Sequence, residues 1–283
     1  MATLFVLGNG FDLQHGLPTK YDPHLKDLVI GAERFPGEWE SYGIEGDSWS
    51  RVEESLAELD VDYALEHLES WPPDLASVRE SDRDAIIHEA EQLLGFPLVS
   101  FAENADAKLA DTQPQRKFCT LFGADDFFLT FNYTHTLERL YGVDPSRVLH
   151  LHGEVGVSTL ILGYAPGSLR ENAALRQWDD EENFEFYRSR AYGAIADRLA
   201  AFEKTYQLES LRAYTDRMSP NVERVLVYGH SFGVVDRPYF EHLARMFSGA
   251  RWGVRAHSFG SLVEVGRALD DYRLQIAFDG DVI

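Results

Sequence analysis

The sequence predicts an α/β protein: a mainly parallel sheet with helices on both faces and a helical insertion. Three observations carry that expectation. An apolar run at Leu4-Phe5-Val6-Leu7 breaks at once into Gly8-Asn9-Gly10-Phe11-Asp12. Further strand-like apolar runs follow from Asp126 onward, separated by helical patterns. Most of these runs end in a polar cluster: Asn9 and Asp12, then Asn132, then His152, then His230 and Ser231. Alternation of strand and helix favours parallel pairing, and ligands bind such sheets at the carboxyl ends of the strands.

Taken in order, residues 3–8 read as the first strand. The glycine turn after it lets the backbone approach a phosphate or ribose, with bare N–H groups to hold it. An ordinary strand and tight turn fits the same letters. From about residue 21 to 118 the chain reads as a helical insertion. Asp47 or Ser48 is placed to cap a helix through Val52, Leu56 and Leu59, which Tyr63, Leu65 and Leu68 extend until Trp71-Pro72-Pro73. A second helical pattern covers 83–110, interrupted at Gly95-Phe96-Pro97. Strands are expected at Asp126–Phe131, Val148–His152 and Thr159–Gly163, and a second helical segment at about 181–218. Val222–Tyr228 is a strongly apolar strand, and Asp236-Arg237-Pro238 starts a helix through Phe240, Leu243 and Phe247. Strands at Trp252–Ala256 and Leu274–Phe278 flank a helix at 260–269. Residues 1–283 together read as one domain that carries these helical segments.

Composition narrows the function classes. Forty-seven acidic residues face twenty-six basic ones, a net charge of -21, which repels phosphate backbones, so long nucleic acid is not an expected partner. A small anion can still be held locally by backbone amides. The single cysteine, Cys119, rules out an intramolecular disulfide and a cysteine zinc ribbon. No run is long and apolar enough to span a membrane, and residues 3–7 are too short for a signal-peptide core. A cytoplasmic location without membrane contact is the expectation.

Several constellations admit chemistry. His150 and His152 lie two apart on one strand and share a face, so with Asp12 or Asp236 they could bind a metal; the alternative is one histidine packed in the sheet and one at the strand end. The reading adopted has no metal. Gly229-His230-Ser231-Phe232-Gly233 matches the G-x-S-x-G elbow of hydrolases between strand and helix. Ser231 would then be a nucleophile, but the one suitable downstream histidine, His257, precedes its candidate acids, and the elbow comes late in the chain. Trp49 and Glu53 share a helix face, either as a core anchor beside a solvated acid or with Glu53 as a polar wall of the site. Asp236 before Arg237-Pro238 reads as a helix N-cap rather than a ligand. Asp12 fits either a cap or an acceptor for a ribose hydroxyl.

Four motifs together carry a resemblance. G-N-G-F-D-L-Q-H-G-L-P-T at 8–19, F-N-Y-T-H-T-L-E at 131–138, H-L-H-G at 150–153 and Y-G-H-S-F-G-V-V-D at 228–236 resemble the bacteriophage abortive infection AbiH family. That family in turn resembles the sirtuin-like, Rossmann-like NAD-binding fold. Gly8, Gly10, Gly16 and Pro18 match the glycines and proline of the sirtuin G-A-G-I-S-x-x-S-G-I-P-D opening at the same spacing, with Thr19 where sirtuins carry Asp. Asn132 matches the sirtuin Q-N-I-D asparagine, His152 the H-G histidine, and Gly229-His230-Ser231-Phe232 the turn near the adenosine ribose. Thr134 replaces the aspartate after the asparagine, and the zinc-binding cysteines are absent.

The resemblance implies an antiphage effector that hydrolyses NAD to nicotinamide and ADP-ribose. Asn132 and His152 would be catalytic. Gly8, Asn9, Gly10, Phe11, Asp12, Pro18, Thr19, Gly229, His230 and Ser231 would bind the dinucleotide, with the glycine turn on the pyrophosphate. NAD enters as substrate. Two other readings stay open: a non-catalytic nucleotide sensor acting through a partner, and transfer of ADP-ribose to a macromolecule. The choice between NAD and a related dinucleotide stays open too, as do assembly into a homo-oligomer and activation by a phage-derived trigger.

Overall fold

The strand β1 (Ala2–Leu7) runs through the middle of a six-stranded parallel sheet, and all six of its residues are buried. Pairing on both edges and helices on both faces leave it no solvent side, which is why it reads as a continuous apolar run. The protein is seen in a computed structural model that describes residues 2–32, 38–41, 43–59, 96–169, 193–194, 196–218, 221–271 and 278–282.

The chain forms two compact units, one of residues Met1–Lys20, Leu98–Ile161 and Thr205–Ile283, the other of Tyr21–Pro97 and Leu162–Lys204. In the first unit β1 is followed by α1 (Asn9–Gln14). The second unit contributes α2 (Lys26–Gly31), α3 (Glu38–Ser41) and α4 (Val52–Ser55). The chain re-enters the first unit with α5 (Leu98–Ala107) and α6 (Arg116–Leu121), then β2 (Phe127–Thr130), α7 (Thr136–Tyr141) and β3 (Val148–His150). After the second unit's later segment come α8 (Leu208–Met218), β4 (Val222–Tyr228), α9 (Arg237–Met246), β5 (Arg251–Ala256), α10 (Phe259–Asp271) and β6 (Phe278–Val282).

The strand order is β3-β2-β1-β4-β5-β6, with every neighbouring pair parallel. Chain direction across the sheet therefore reverses at β1, as in doubly wound sheets, and the switch point lies between β1 and β4. Side chains alternate between the two faces. Leu4, Val6, Leu129, Val225, Val227 and Val254 pack with Leu211, Tyr239 and Val265 of α8, α9 and α10. Phe5, Leu7, Phe128, Leu226 and Tyr228 pack on the other side with Phe11, Phe118 and Leu137 of α1, α6 and α7. At the opposite end of the sheet, buried Asp126 accepts the Thr3 and Gly123 N–H groups at 2.7 and 2.8 Å, which ties the start of β1 to the turn before β2.

The second unit has its own core of aromatic rings. Trp39 lies 6.1 Å from Trp49 and 5.5 Å from Phe96, and Phe96 lies 6.0 Å from Phe202. Glu53 is buried there and pairs with the Lys204 ammonium at 3.2 Å. It is thus not a solvated acid, because a buried carboxylate needs a counter-charge and finds one inside its own unit.

Several expected boundaries shift. The helix expected through Val52, Leu56 and Leu59 is broken into a 3-10 turn at Gly46–Arg51, the short α4 and a second 3-10 turn at Leu56–Glu58, and Glu45 rather than Asp47 or Ser48 precedes it. Residues 98–118, expected within the insertion, belong to the sheet unit, because Phe118 fills the core beneath Phe5 and Phe11. The expected strand at 159–163 is irregular: Ile161 donates its N–H to the His152 carbonyl at 2.8 Å instead of joining a ladder. β3 ends at His150, and the chain turns away before His152. The last strand begins at Phe278; residues 274–277 lie outside the described residues, as do 61–95 and 171–192, where parts of the expected helices fall. Among the described residues no helix is long and apolar enough to cross a membrane.

The switch point is closed by glycine backbones. Gly10 donates its N–H to the Gly229 carbonyl at 2.8 Å, and Gly229 has a φ of 64°. A Cβ on Gly229 would lie 2.6 Å from Gly10 Cα, and one on Gly10 would lie 2.6 Å from Gly229 Cα. Alanine at Gly229 must therefore bear both left-handed strain and a backbone collision. Gly16 has a φ of 73° with open space around it. Gly16→Ala is expected to cost only the strain, roughly 1–2 kcal/mol, whereas Gly229→Ala should cost clearly more, read as denaturant midpoints at unchanged slope.

Candidate functional site

The strand register sets the site. Leu7 pairs with Thr130 and with Tyr228, and Thr130 pairs with His150, so the last residues of four neighbouring strands stand level. Two residues beyond that row come Asn9, Asn132, His152 and His230. One edge of the sheet thus gathers polar residues that are more than two hundred positions apart in the chain.

Asn132 is held from three directions. Its N–H donates to Thr130 Oγ1 at 3.1 Å, its carbonyl accepts from His150 Nδ1 at 3.0 Å, and its Nδ2 donates to the Gly8 carbonyl at 3.2 Å. His152 and His230 both pack against Phe131, with ring centroids 5.1 and 4.3 Å from it. Both imidazoles reach Asp236 at the start of α9. His152 Nε2 is 2.9 Å from Asp236 Oδ1, and His230 Nε2 is 3.2 Å from Asp236 Oδ2. All three side chains are buried. Among the described residues, Asn132 Oδ1 and His152 Nδ1 have no hydrogen-bond partner, and neither is sealed from solvent.

Asp236 corrects an expectation. It does occupy the N-cap position of α9, yet its side chain makes no cap hydrogen bond. The carboxylate turns instead toward two imidazoles whose N–H groups need an acceptor inside the protein. Local spacing predicts the cap; the histidines that redirect it lie 84 residues upstream and six upstream. No local signal reveals that choice.

Asp12 is also turned inward. It is completely buried within α1, where Thr134 Oγ1 donates to Oδ2 at 2.5 Å and Thr136 Oγ1 to Oδ1 at 2.8 Å. It neither caps α1 nor presents a free acceptor to a ribose. Burial pushes its carboxyl up to about 6, against the lowering effect of hydrogen bonds from Thr134, Thr136 and Asn132 and the charge of His150. Thr134 is thus what locks the glycine turn to the β2 end. His150 serves the same end of the sheet: its two ring nitrogens face the Asn132 carbonyl and Glu138 Oε1. Burial opposes charge on His150, but the hydrogen bond and charge of Glu138, the Asn132 carbonyl and the charge of Glu154 together raise its pKa.

The H-x-H pair therefore splits, with His150 directed to Glu138 and His152 to Asp236. Among the described residues no group of three or more His, Cys, Asp or Glu is arranged to hold a metal ion. The nucleophile-elbow reading also loses its geometry. Ser231 is exposed, among the described residues no histidine bonds it, and the positive φ of 57° falls on Phe232.

The amides expected to cradle a phosphate are largely engaged within the protein. Gly8 N–H donates to the Tyr228 carbonyl, Gly10 N–H to the Gly229 carbonyl and Phe11 N–H to the Gly8 carbonyl, at 3.0, 2.8 and 2.9 Å. Phe11 itself sits in the aromatic core, 4.9 Å from Phe118. The glycines serve the close packing of two turns. Asn9, Gly10, Pro18 and Gly229 are partly exposed; Thr19 is buried, its carbonyl accepting from Asn9 Nδ2 at 2.7 Å and its Oγ1 unpartnered.

The sequence model for bacteriophage abortive infection AbiH matches residues 4–255, a span that includes every residue of this cluster. The chain belongs to the AbiH family. Membership points to abortive-infection defence against bacteriophage. Comparison with curated proteins returned no match. For this AbiH member, the four-motif pattern corresponds to four loops that the sheet register brings to one edge.

Asp12 gives the site a measurable stability signature. Its folded pKa lies above the ordinary 3.8, so the folded state keeps a proton that the unfolded chain releases as pH rises from about 4 to about 6. This group's contribution to stability is therefore greatest below pH 4 and declines through that window, by about 3 kcal/mol in total. Asp12→Asn should lack this decline, so the stability difference between variant and wild type should shift in the variant's favour between pH 4 and pH 6.5 in denaturant titrations.

Proposed function

We propose that this AbiH protein is an abortive-infection effector that hydrolyses NAD to nicotinamide and ADP-ribose. The observation that carries the reading is the placement of two unengaged acceptors, Asn132 Oδ1 and His152 Nδ1, beside the switch point of a doubly wound parallel sheet. Sheets of that order take dinucleotides in this region; that part of the argument is by analogy of fold.

The chemistry fits the groups present. Nicotinamide leaves with the electron pair of its bond to ribose C1′, and the ribose becomes oxocarbenium-like. Water attacks C1′ and loses a proton. Asn132 Oδ1 is suited to orient that water or a ribose hydroxyl, because the rest of the residue is already fixed by three hydrogen bonds. His152 Nδ1 is suited to take the proton. Buried Asp236 supplies negative potential close to where positive charge develops. Asn9, Gly10, Pro18, Gly229 and the exposed Ser231 hydroxyl are the groups at this edge left to meet the rest of the dinucleotide, with Thr19 behind them. Phe11 and Asp12 act on this reading through the shape of the turn.

Asn132→Ala and His152→Ala are expected to abolish nicotinamide release from NAD while circular dichroism still shows the folded protein. NAD loss at the wild-type rate in both variants would overturn the reading. Label from ADP-ribose-labelled NAD appearing on protein or nucleic acid, rather than as free ADP-ribose, would replace hydrolysis by transfer.

A further inference from the structure

We infer that Asp236 is a positioning residue that sets the tautomer of His152, with His230 as the clamp that fixes the carboxylate. The inference rests on the reading of His152 as the proton acceptor. It goes beyond that reading by giving Asp236, to which the hydrolysis scheme assigns only negative potential, a positioning task, and by giving one to His230, to which the scheme assigns none.

His230 has a single tautomer open to it. Its Nδ1 accepts the Phe232 N–H at 2.8 Å. A backbone amide is an obligatory donor, so Nδ1 carries the lone pair and the ring proton of the neutral imidazole sits on Nε2. That N–H points at Asp236 Oδ2, 3.2 Å away. This hydrogen bond closes within the turn, two residues on from the ring, so the turn itself pins this tautomer.

With Oδ2 held by His230, Asp236 presents Oδ1 to His152 Nε2 at 2.9 Å. A carboxylate accepts only, so His152 must donate from Nε2. Its lone pair is then on Nδ1, the nitrogen without a partner among the described residues. Four groups on two loops and one helix start thus form a chain whose donors converge on the carboxylate: Phe232 N–H donates to His230, and His230 and His152 both donate to Asp236. When His152 takes up a proton on Nδ1, the same carboxylate stabilises the imidazolium without moving. Phe131 and Phe240, whose centroids lie 4.3 and 4.8 Å from the His230 ring, hold that ring in place, and Phe131 touches the His152 ring as well.

Asparagine at position 236 tests the chain because it offers one acceptor and one donor. His230 cannot change tautomer while the Phe232 amide faces Nδ1, so it claims the asparagine oxygen. The asparagine NH2 then faces His152 Nε2, which must become the acceptor, and the His152 proton moves to Nδ1. The base is lost with its ring still in place.

The experiment is nitrogen-15 NMR of the imidazole rings in the full-length protein, with His152 assigned by its disappearance in His152→Gln, alongside nicotinamide release from NAD. Wild type should show a protonated Nε2 and a bare Nδ1 on His152. Asp236→Asn should show the reverse, with kcat reduced about 10²–10⁴-fold and KM little changed. Asp236→Glu keeps an acceptor and should restore the wild-type tautomer and part of the rate. A bare Nε2 in wild type, or an unchanged His152 tautomer in Asp236→Asn, overturns the inference. The wild-type spectrum decides the first of these even if a variant does not fold. If the tautomer swaps as expected but wild type releases no nicotinamide, the positioning role stands and the hydrolysis reading falls.

Discussion

The contact on which this structure depends is the backbone-to-backbone approach of the turns after β1 and β4. Gly10 and Gly229 share a hydrogen bond at a separation that leaves no space for a Cβ on either. β1 and β4 are neighbours in the sheet but far apart in the chain, and they flank the point where the winding reverses. The turn contact locks their ends in register. Once Leu7 and Tyr228 are level, β2 and β3 follow through their own ladders, and Asn132, His152 and His230 arrive at one edge without any local sequence relation among them.

This arrangement gives the glycines a different task from the one their spacing suggests. A glycine-rich turn can expose amides to an anion, or it can spend them on another stretch of backbone. Here Gly8, Gly10 and Phe11 donate within the protein. The need to satisfy main-chain donors at a buried strand end outweighs the availability of those donors to a ligand. Side chains around the turn are left to meet whatever binds, in a chain whose net charge of -21 gives a phosphate no general attraction.

Much of the fold was legible because burial on both faces writes itself into single strands. β1, β2, β4 and β5 fall within a residue or so of the apolar runs that announce them. The ends of β1, β2 and β4 were legible for the same reason, whereas β3 stops at His150, two residues short of the His152 at which its run was expected to end. What could not be read were partners chosen across the fold. Asp236 looks like a cap because caps are local; its histidine partner is 84 residues away. Glu53 looks solvated because its lysine is 151 residues distant. Asp12 looks like a ligand contact until Thr134 and Thr136 arrive from β2's far end to take both of its oxygens. The stretch at 159–163 has strand-like letters, but Ile161 bonds the main chain of His152 rather than a ladder, and no periodicity distinguishes those outcomes.

The acids at this edge share one logic. Asp12 receives two hydroxyl donors, Glu138 faces a histidine, and Asp236 faces two. Hydroxyls compensate burial only in part, and the Asp12 carboxyl accordingly rises to about 6. Asp236 instead has an imidazole nitrogen at each oxygen, so both sides of the buried carboxylate are met inside the protein. On the hydrolysis proposed above, such a carboxylate suits a step in which positive charge develops at one carbon.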